Sequence, residues 1–366
     1  MLQKIKSVLS DYQEPYLKKT LLDAGAVKRI TLEDQNRVKV ELMFGFPIKG
    51  YQALLISALS HELEEKLHLS REGWSVVWDV AFRIEPHVVK AGLKRLKTVK
   101  NVIAVAAGKG GVGKSTVAVN LAMALSQEGA GVGLLDADIY GPSQACVLGA
   151  DEKAQSDDGK HFNPVEVHGL QTISIAYLLP ETDTPMVWRG PMVSRAVEQL
   201  FYDTAWSDLD YLVIDLPPGT GDIPLTLVQK IPLTAAVMVT MPQKLSELDV
   251  SKALRMFEKT GIPVLGIVEN MANYVCTACG HTEAVFRGQS GSALARQYGV
   301  PLLGELSLIP DLGESADAGV PWMAAEDDIK EPNRQTFRDI ARQVAAQIAL
   351  MKMDYSGKLP EVVVER

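Results

Sequence analysis

The chain has 366 residues, 47% of them hydrophobic and 22% charged, with a formal net charge of −8 and three cysteines. That length exceeds one ordinary core and predicts two or three domains, while the composition is that of a soluble globular protein. The acidic balance speaks against a nucleic-acid-coating surface, no apolar run reaches about 18 residues, and the first residues lack the apolar block of a secretory signal. The expectation is a cytoplasmic protein with no nucleic-acid and no membrane partner.

In chain order, residues 1–97 read as a small α/β unit. "LLDAGAVKRITLEDQNRVKVELMF" holds two β-rich runs around a polar turn. "YQALLISALSHELEEKL" spaces its apolar residues by three and four, as an amphipathic helix does. "WSVVWDVAFRI" reads as a third strand, with Trp74 and Trp78 as packing residues. A basic stretch follows, with Lys90, Lys94, Arg95, Lys97 and Lys100; it reads as a solvated helix end and linker, the alternative being a docking patch for an acidic partner.

Beyond it the pattern changes. Near-continuous apolar runs recur at 101–108, 131–138, 170–176, 211–218, 235–242 and 263–270, with helix-like segments between several of them. This alternation predicts a mostly parallel, doubly wound α/β sheet covered on both faces, whose ligands sit at the carboxyl ends of the strands. A last helix over about 333–351 carries Phe337, Ile340, Val344, Ile348 and Met351 on one stripe, which predicts docking onto the domain. The predicted division is 1–97, 98–351 and a peripheral tail, 352–366.

The segment "AAGKGGVGKSTVAVNLAMAL" contains G-x-x-x-x-G-K-[ST] as Gly108, Gly113, Lys114 and Ser115, a pattern expected by chance in about one such chain in a hundred. It lies between a β-rich run and a helix-like one, as a phosphate loop must. Glycines let backbone N–H groups converge on phosphate oxygens at a helix N-terminus. The predicted nucleotide-binding set is Gly108, Gly110, Gly111, Val112, Gly113, Lys114, Ser115 and Thr116. Lys114 is assigned to the β- and γ-phosphates and the Ser115 hydroxyl to Mg²⁺.

A minimal phosphate loop has no place for a second cation, yet Lys109 follows the first glycine. With it, "GKGGVGKS" resembles the deviant Walker A motif of the nitrogenase iron protein, MinD and ParA class. In that class the early lysine reaches the nucleotide of the partner subunit, so the resemblance implies an ATPase working as an ATP-sandwich homodimer. "LLDADIYGPS" places Asp136 and Asp138 at a strand end, and "LVIDLPPGTGD" places Asp215 at another. Asp215 is assigned to Mg²⁺ and Asp138 to the attacking water, with Asp136 in support. By the same resemblance Asn270, ending "VLGIVEN", contacts the adenine.

Five segments in order, "GKGGVGKST", "DADIYGPS", "MVWRGPM", "DYLVIDLPPGTGDIPLTL" and "GIVENM…CTACG", are similar to the Mrp/ApbC branch of these ATPases, over about 100–325. The resemblance implies an ATP-dependent iron–sulfur cluster carrier or scaffold that delivers to apo iron–sulfur proteins and works with cluster-assembly proteins. Residues 1–97 are similar to the small iron–sulfur-assembly domain fused ahead of such ATPases, though without the cysteine of its stand-alone versions. "TMPQKLSEL" departs from the branch, which more often has a threonine before Pro-Gln and an acid after it.

Cys276 and Cys279 supply two thiolates, and a closed tetrahedral site needs four ligands. Cys146 reads as a buried, inert thiol and His281 as an exposed loop histidine, so neither is expected to complete the site. A two-fold homodimer places two such pairs across its axis and supplies four thiolates. Soft thiolates suit an iron–sulfur cluster or Zn²⁺; a redox dithiol and a hairpin with incidental cysteines also fit the spacing. The family resemblance implies a bridging [4Fe–4S] cluster. The alternative from another class is a MinD/ParA-like positioning ATPase using ATP-driven dimerisation.

Overall fold

The apolar runs after residue 98 assemble, with two further strands, into one eight-stranded sheet. The computed structural model describes residues 1–179, 189–276, 279–286, 291–308, 310–325 and 331–354. Part of "MVWRGPM" (186–188), the two residues between the cysteines and the tail beyond 354 lie outside the described residues.

The chain opens with a helix that the sequence reading did not anticipate, α1 (Leu2–Asp11), which buries Ile5, Val8 and Leu9. A two-residue ribbon follows, β1 (Gln13–Glu14) with β2 (Lys19–Thr20). Then come β3 (Val27–Asp34), β4 (Arg37–Phe44), α2 (Gln52–Leu67) and β5 (Ser75–Phe82). Strands β3 and β4 pair antiparallel around the polar turn, and β4 and β5 pair parallel through the α2 crossover. Alternation in β4 buries Val38, Val40, Leu42 and Phe44, and α2 meets the sheet with Leu55, Leu59 and Leu63, four residues apart. Trp74 and Trp78 pack against this core, Trp78 also donating from Nε1 to the Ser60 hydroxyl at 2.9 Å.

The large sheet is built from β6 (Val99–Ala107), β7 (Val132–Asp136), β8 (Val165–Val167), β9 (Leu170–Ile173), β10 (Leu209–Asp215), β11 (Ala235–Thr240), β12 (Val264–Glu269) and β15 (Leu302–Glu305). A small hairpin, β13 (Tyr274–Val275) with β14 (Thr282–Glu283), stands apart from it. The strand order is β15-β12-β11-β6-β10-β7-β9-β8, parallel throughout except for the β8–β9 edge pair. The helices are α3 (Lys114–Gln127), α4 (Gln144–Leu148), α5 (Gly190–Tyr202), α6 (Asp222–Lys230), α7 (Lys244–Thr260), α8 (Gly291–Tyr298), α9 (Pro310–Asp317) and α10 (Glu331–Ala349).

Alternate residues of β6 explain the two layers. Ile103 and Val105 face α3 and α10, while Val102, Ala104 and Ala106 face α5, α6 and α7. Phe337, Ile340, Val344 and Ile348 of α10 are all buried, as their stripe predicts, while Met351 lies beyond the end of the helix and is half-buried. A strand buried on both faces has no polar positions to alternate, which is why these runs read as continuous.

The N-terminal domain shares the core on the α3–α10 face. At that joint Glu128, just after α3, is 1% exposed and accepts from Arg342 Nε and Nη2 at 2.9 and 2.6 Å. The same carboxylate accepts from the Gly50 N–H at 3.0 Å, and the Glu128 carbonyl from the Lys49 N–H at 2.9 Å. Arg342 also lies 5.7 and 5.3 Å from the rings of Tyr16 and Tyr51. The two domains are therefore joined by a buried ion pair as well as by apolar packing. In the basic linker Arg95 pairs with Asp354 and Lys100 with Asp210, while Lys90, Lys94 and Lys97 are exposed. It holds no helix end; residues 90–98 run without helix or strand.

Candidate functional site

All the predicted site residues fall at or just beyond the carboxyl ends of neighbouring strands. From β12 to β7, the ends carry Asn270 and the cysteine hairpin, then the N-terminus of α7, the phosphate loop, Asp215, and last Asp136 with Asp138.

The loop after β6 needs its glycines for two different reasons. Gly111 and Gly113 have φ of +78° and +80°, the left-handed region that residues with a Cβ avoid. Gly108 has no room for a side chain because the backbone of Asp249 and Val250 in α7 lies against it. A Cβ on Gly113 would collide with the Asn270 amide. The loop is thus pressed from one side by α7 and supported from another by Asn270. It feeds directly into α3, whose first-turn N–H groups have no intrahelical acceptors and so suit an anion.

Lys114 is buried and ion-paired with Asp215, and its ammonium lies 3.5 Å from the Ser115 hydroxyl. Asp215 is fully buried at the end of β10, and its second oxygen accepts from Gln144 Nε2 at 2.8 Å. Gln144 Nε2 also donates to the Ser115 carbonyl at 3.1 Å. One amide thereby ties the start of α3 to the carboxylate across from it. Ser115 and Asp215 present hard oxygen donors beside the loop's cation, a donor set that fits Mg²⁺.

Asp136 sits in register with Asp215 on the adjacent strand. It accepts from the N–H groups of Asp138, Ser143 and Gln144 and from the Ser174 hydroxyl, at 3.0 to 3.1 Å. Burial, and then the neighbouring Asp215 carboxylate, push its pKa up to about 7 in spite of those donors. Its contacts fold the 137–144 loop back on the strand end. Asp138, only half-buried, is raised above the ordinary carboxylate range by burial, with the Lys114 charge opposing.

Lys109 donates at 2.9 Å to Oε1 of Gln243, the residue just before α7. Beyond it Lys244, Leu245 and Leu248 are exposed on the first turns of α7, where the sequence departs from the branch pattern. Asn270 is 3% exposed; its Nδ2 donates to the Val112 carbonyl and its Oδ1 accepts from the Met271 N–H, both at 3.0 Å.

The cysteine turn is built quite differently. Cys276 N–H donates to the His281 carbonyl at 2.9 Å, and Gly280 N–H to the Cys276 carbonyl at 2.8 Å. Gly280 closes that turn at φ +70°, which accounts for the glycine in "CTACG". Cys276 is half-buried and Cys279 exposed, and the three cysteines form no disulfide. Among the described residues no group of three His, Cys, Asp or Glu side chains could hold a metal, and His281 forms no such group with the two cysteines. Cys146 is exposed, contrary to the buried thiol expected from its neighbours. The one-turn helix α4 buries Gln144 and Leu148, and the residue midway between them faces outward.

Gln144, Ser174 and Gln243 were not singled out from sequence. Each reaches its site partner 29 or more positions away in the chain, so no local spacing announces that contact.

This geometry is that of a phosphate-loop site with a two-thiol turn on the same sheet edge. A family model described as NUBPL iron-transfer P-loop NTPase matches residues 98–345, more than half of the chain. The chain belongs to that family. A second model, described as iron-sulfur cluster assembly protein, matches residues 2–76. Among curated relatives, the iron-sulfur cluster carrier protein of Pseudomonas fragi is 55% identical over 260 residues, 70% of this chain and 90% of its own length. That of Escherichia coli K12 is 44% identical over 354 residues, 94% of this chain and 91% of its own. Among solved structures, the nucleotide-binding protein in complex with ADP from Archaeoglobus fulgidus is 40% identical. It aligns with a TM-score of 0.55 over 62% of this chain and 88% of that one. These relatives of the iron-transfer NTPase family do not favour the positioning-ATPase alternative.

Proposed function

We propose that the chain is an ATP-dependent iron–sulfur cluster carrier. Two copies would hold one [4Fe–4S] cluster between their Cys276 and Cys279 thiolates and pass it to apo iron–sulfur proteins in the cytoplasm, with cluster-assembly proteins as further partners. The observation that carries this reading is the two-thiol turn, Cys279 exposed and Cys276 half-buried, with no third metal ligand beside it among the described residues, on the same sheet edge as the phosphate loop. Four soft thiolates from two chains meet the needs of such a cluster. An exposed, shared cargo site suits transfer rather than permanent storage. The carrier relatives support the same reading.

In this reading the chain divides at 1–97, 98–351 and 352–366. The backbone from Gly108 through Thr116, including Gly110, Gly111 and Val112, wraps the phosphates. Lys114 exchanges Asp215 for the β- and γ-phosphates as its counter-charge. Ser115 and Asp215 would hold Mg²⁺, which when bound supplies Lewis-acid stabilisation of phosphate charge. Gln144 keeps Asp215 oriented while Lys114 changes partner. Asp138 holds the attacking water, on a loop that Asp136 keeps folded. Lys109 turns from Gln243 to the nucleotide of the second subunit, and Asn270 contacts the adenine with the part of its amide not already engaged. Hydrolysis then relaxes the segments after Asp138 and Asp215, which alters the interface between subunits and loosens the hold on the cluster.

The test compares ATP turnover and cluster transfer to an apo-ferredoxin for the parent protein and Lys114→Ala. Turnover is expected to fall by about 100-fold or more, as when a charge-stabilising donor is lost, and ATP-stimulated transfer to fall with it. Undiminished turnover and transfer in the variant would contradict the proposal.

A further inference from the structure

One buried side chain connects the phosphate loop to the cysteine turn. Asn270 follows the last residue of β12, and its own N–H donates to the Thr240 carbonyl of β11 at 2.8 Å. Its Nδ2 donates to the Val112 carbonyl, 158 residues earlier in the chain, at 3.0 Å. Its Oδ1 accepts from the N–H of Met271, at 3.0 Å. Met271 has φ +55°, an unusual conformation for a side-chain-bearing residue, and it turns the chain out of the sheet toward Cys276. The short path between them is tied down on its way: Ala272 N–H to the Leu306 carbonyl at 3.0 Å and Val275 N–H to the Leu308 carbonyl at 3.3 Å.

The Val112 carbonyl belongs to the same peptide unit as the Gly113 N–H. In a planar trans peptide these two groups point in opposite directions, and the described residues hold no cis peptide bond. The Asn270 amide therefore fixes the direction in which the Gly113 N–H is aimed, away from β12, and it lies where a Cβ on Gly113 would be. Any reorientation of that peptide when phosphate enters the loop must move or release the Asn270 amide. The other end of that amide holds the first residue of the path to the cysteines.

We propose that Asn270 is the positioning residue that couples the state of the phosphate loop to the conformation of the Cys276–Cys279 turn. This rests on the carrier reading only for what the turn holds. The coupling is a property of the cluster-free chain and acts in both directions, so a loaded turn alters nucleotide affinity as nucleotide alters the turn.

The test is hydrogen–deuterium exchange of the backbone amides at 271–276 and 279–286 in the cluster-free full chain, with and without saturating ADP and Mg²⁺. The parent protein, Asn270→Asp, which keeps the shape but loses the donor, and Asn270→Ala are compared at nucleotide concentrations that saturate each. In the parent, exchange in the turn is expected to change by about fivefold or more on nucleotide binding, the lower end of ordinary coupling between sites. In both variants that response is lost although nucleotide is bound. An unchanged turn in the parent overturns the proposal. So does a parent-like response at saturation in the folded variants, which would leave Asn270 as a base contact only. If the turn responds as expected but the protein takes up no iron, the coupling stands and the carrier reading fails.

Discussion

Helix α3 and the cysteine turn are held by opposite means. The first is fixed at both ends by buried charge. Lys114 meets Asp215 at its start, and Glu128, next after its last residue, meets Arg342 at the joint with the N-terminal domain. Its middle is apolar and buried, from Val117 to Leu125 apart from the hydrogen-bonded Asn120. The turn has two-residue strands, main-chain hydrogen bonds and exposed side chains from Cys279 through Val285. On the carrier reading the difference separates folding from cargo: substitutions along α3 are expected to disturb the whole molecule or its nucleotide, and substitutions of the thiols to leave the fold standing.

The largest expected effect is at the buried joint. Arg342→Ala leaves the Glu128 carboxylate buried without its countercharge, a loss of about 3–5 kcal/mol. Urea unfolding of the full chain measures it; a loss below about 1 kcal/mol would mean that the joint is wet and not part of a shared core. Next comes Gly113→Ala, which sets a side chain at φ +80° against the Asn270 amide. It is expected to cost about 1–3 kcal/mol, the usual range for such strain, and to weaken ADP binding, read by calorimetry. Unchanged stability and affinity would show that the loop is not supported from below. The smallest effect is at the turn. Cys276→Ala/Cys279→Ala is expected to shift stability by less than about 0.5 kcal/mol and to leave ADP affinity unaltered. A destabilised double variant would erase the contrast between the two regions.

The two regions also differed in how far sequence could describe them. The phosphate loop was readable because its chemistry is local: the glycines, Lys114 and Ser115 are adjacent in the chain, and flanking apolar runs announced strand and helix. The strands buried on both faces were readable for a related reason, since burial leaves continuous apolar runs. Short elements were not. β15 has four residues and β8 three, too few for a period to show, and α1 lay in a polar stretch read only for what it lacked. Cys146 misled because apolar neighbours say nothing about which face of a one-turn helix a residue occupies. Asn270 was picked out by the family resemblance, but its grip on Val112 spans 158 residues and only the fold brings the two together. What the proposed shared site would draw from a second chain could not be read from this one: the described residues offer two thiols at the turn and no third ligand.

The central claim is that two such turns share one cluster. Anaerobic reconstitution with iron and sulfide, followed by metal analysis and native mass measurement, tests it most directly. The account predicts about four iron and four sulfide per pair of chains, the content of one [4Fe–4S] cluster, and none in Cys276→Ala/Cys279→Ala. Zinc in place of iron, iron bound to single chains, or iron retained by the double variant would contradict it.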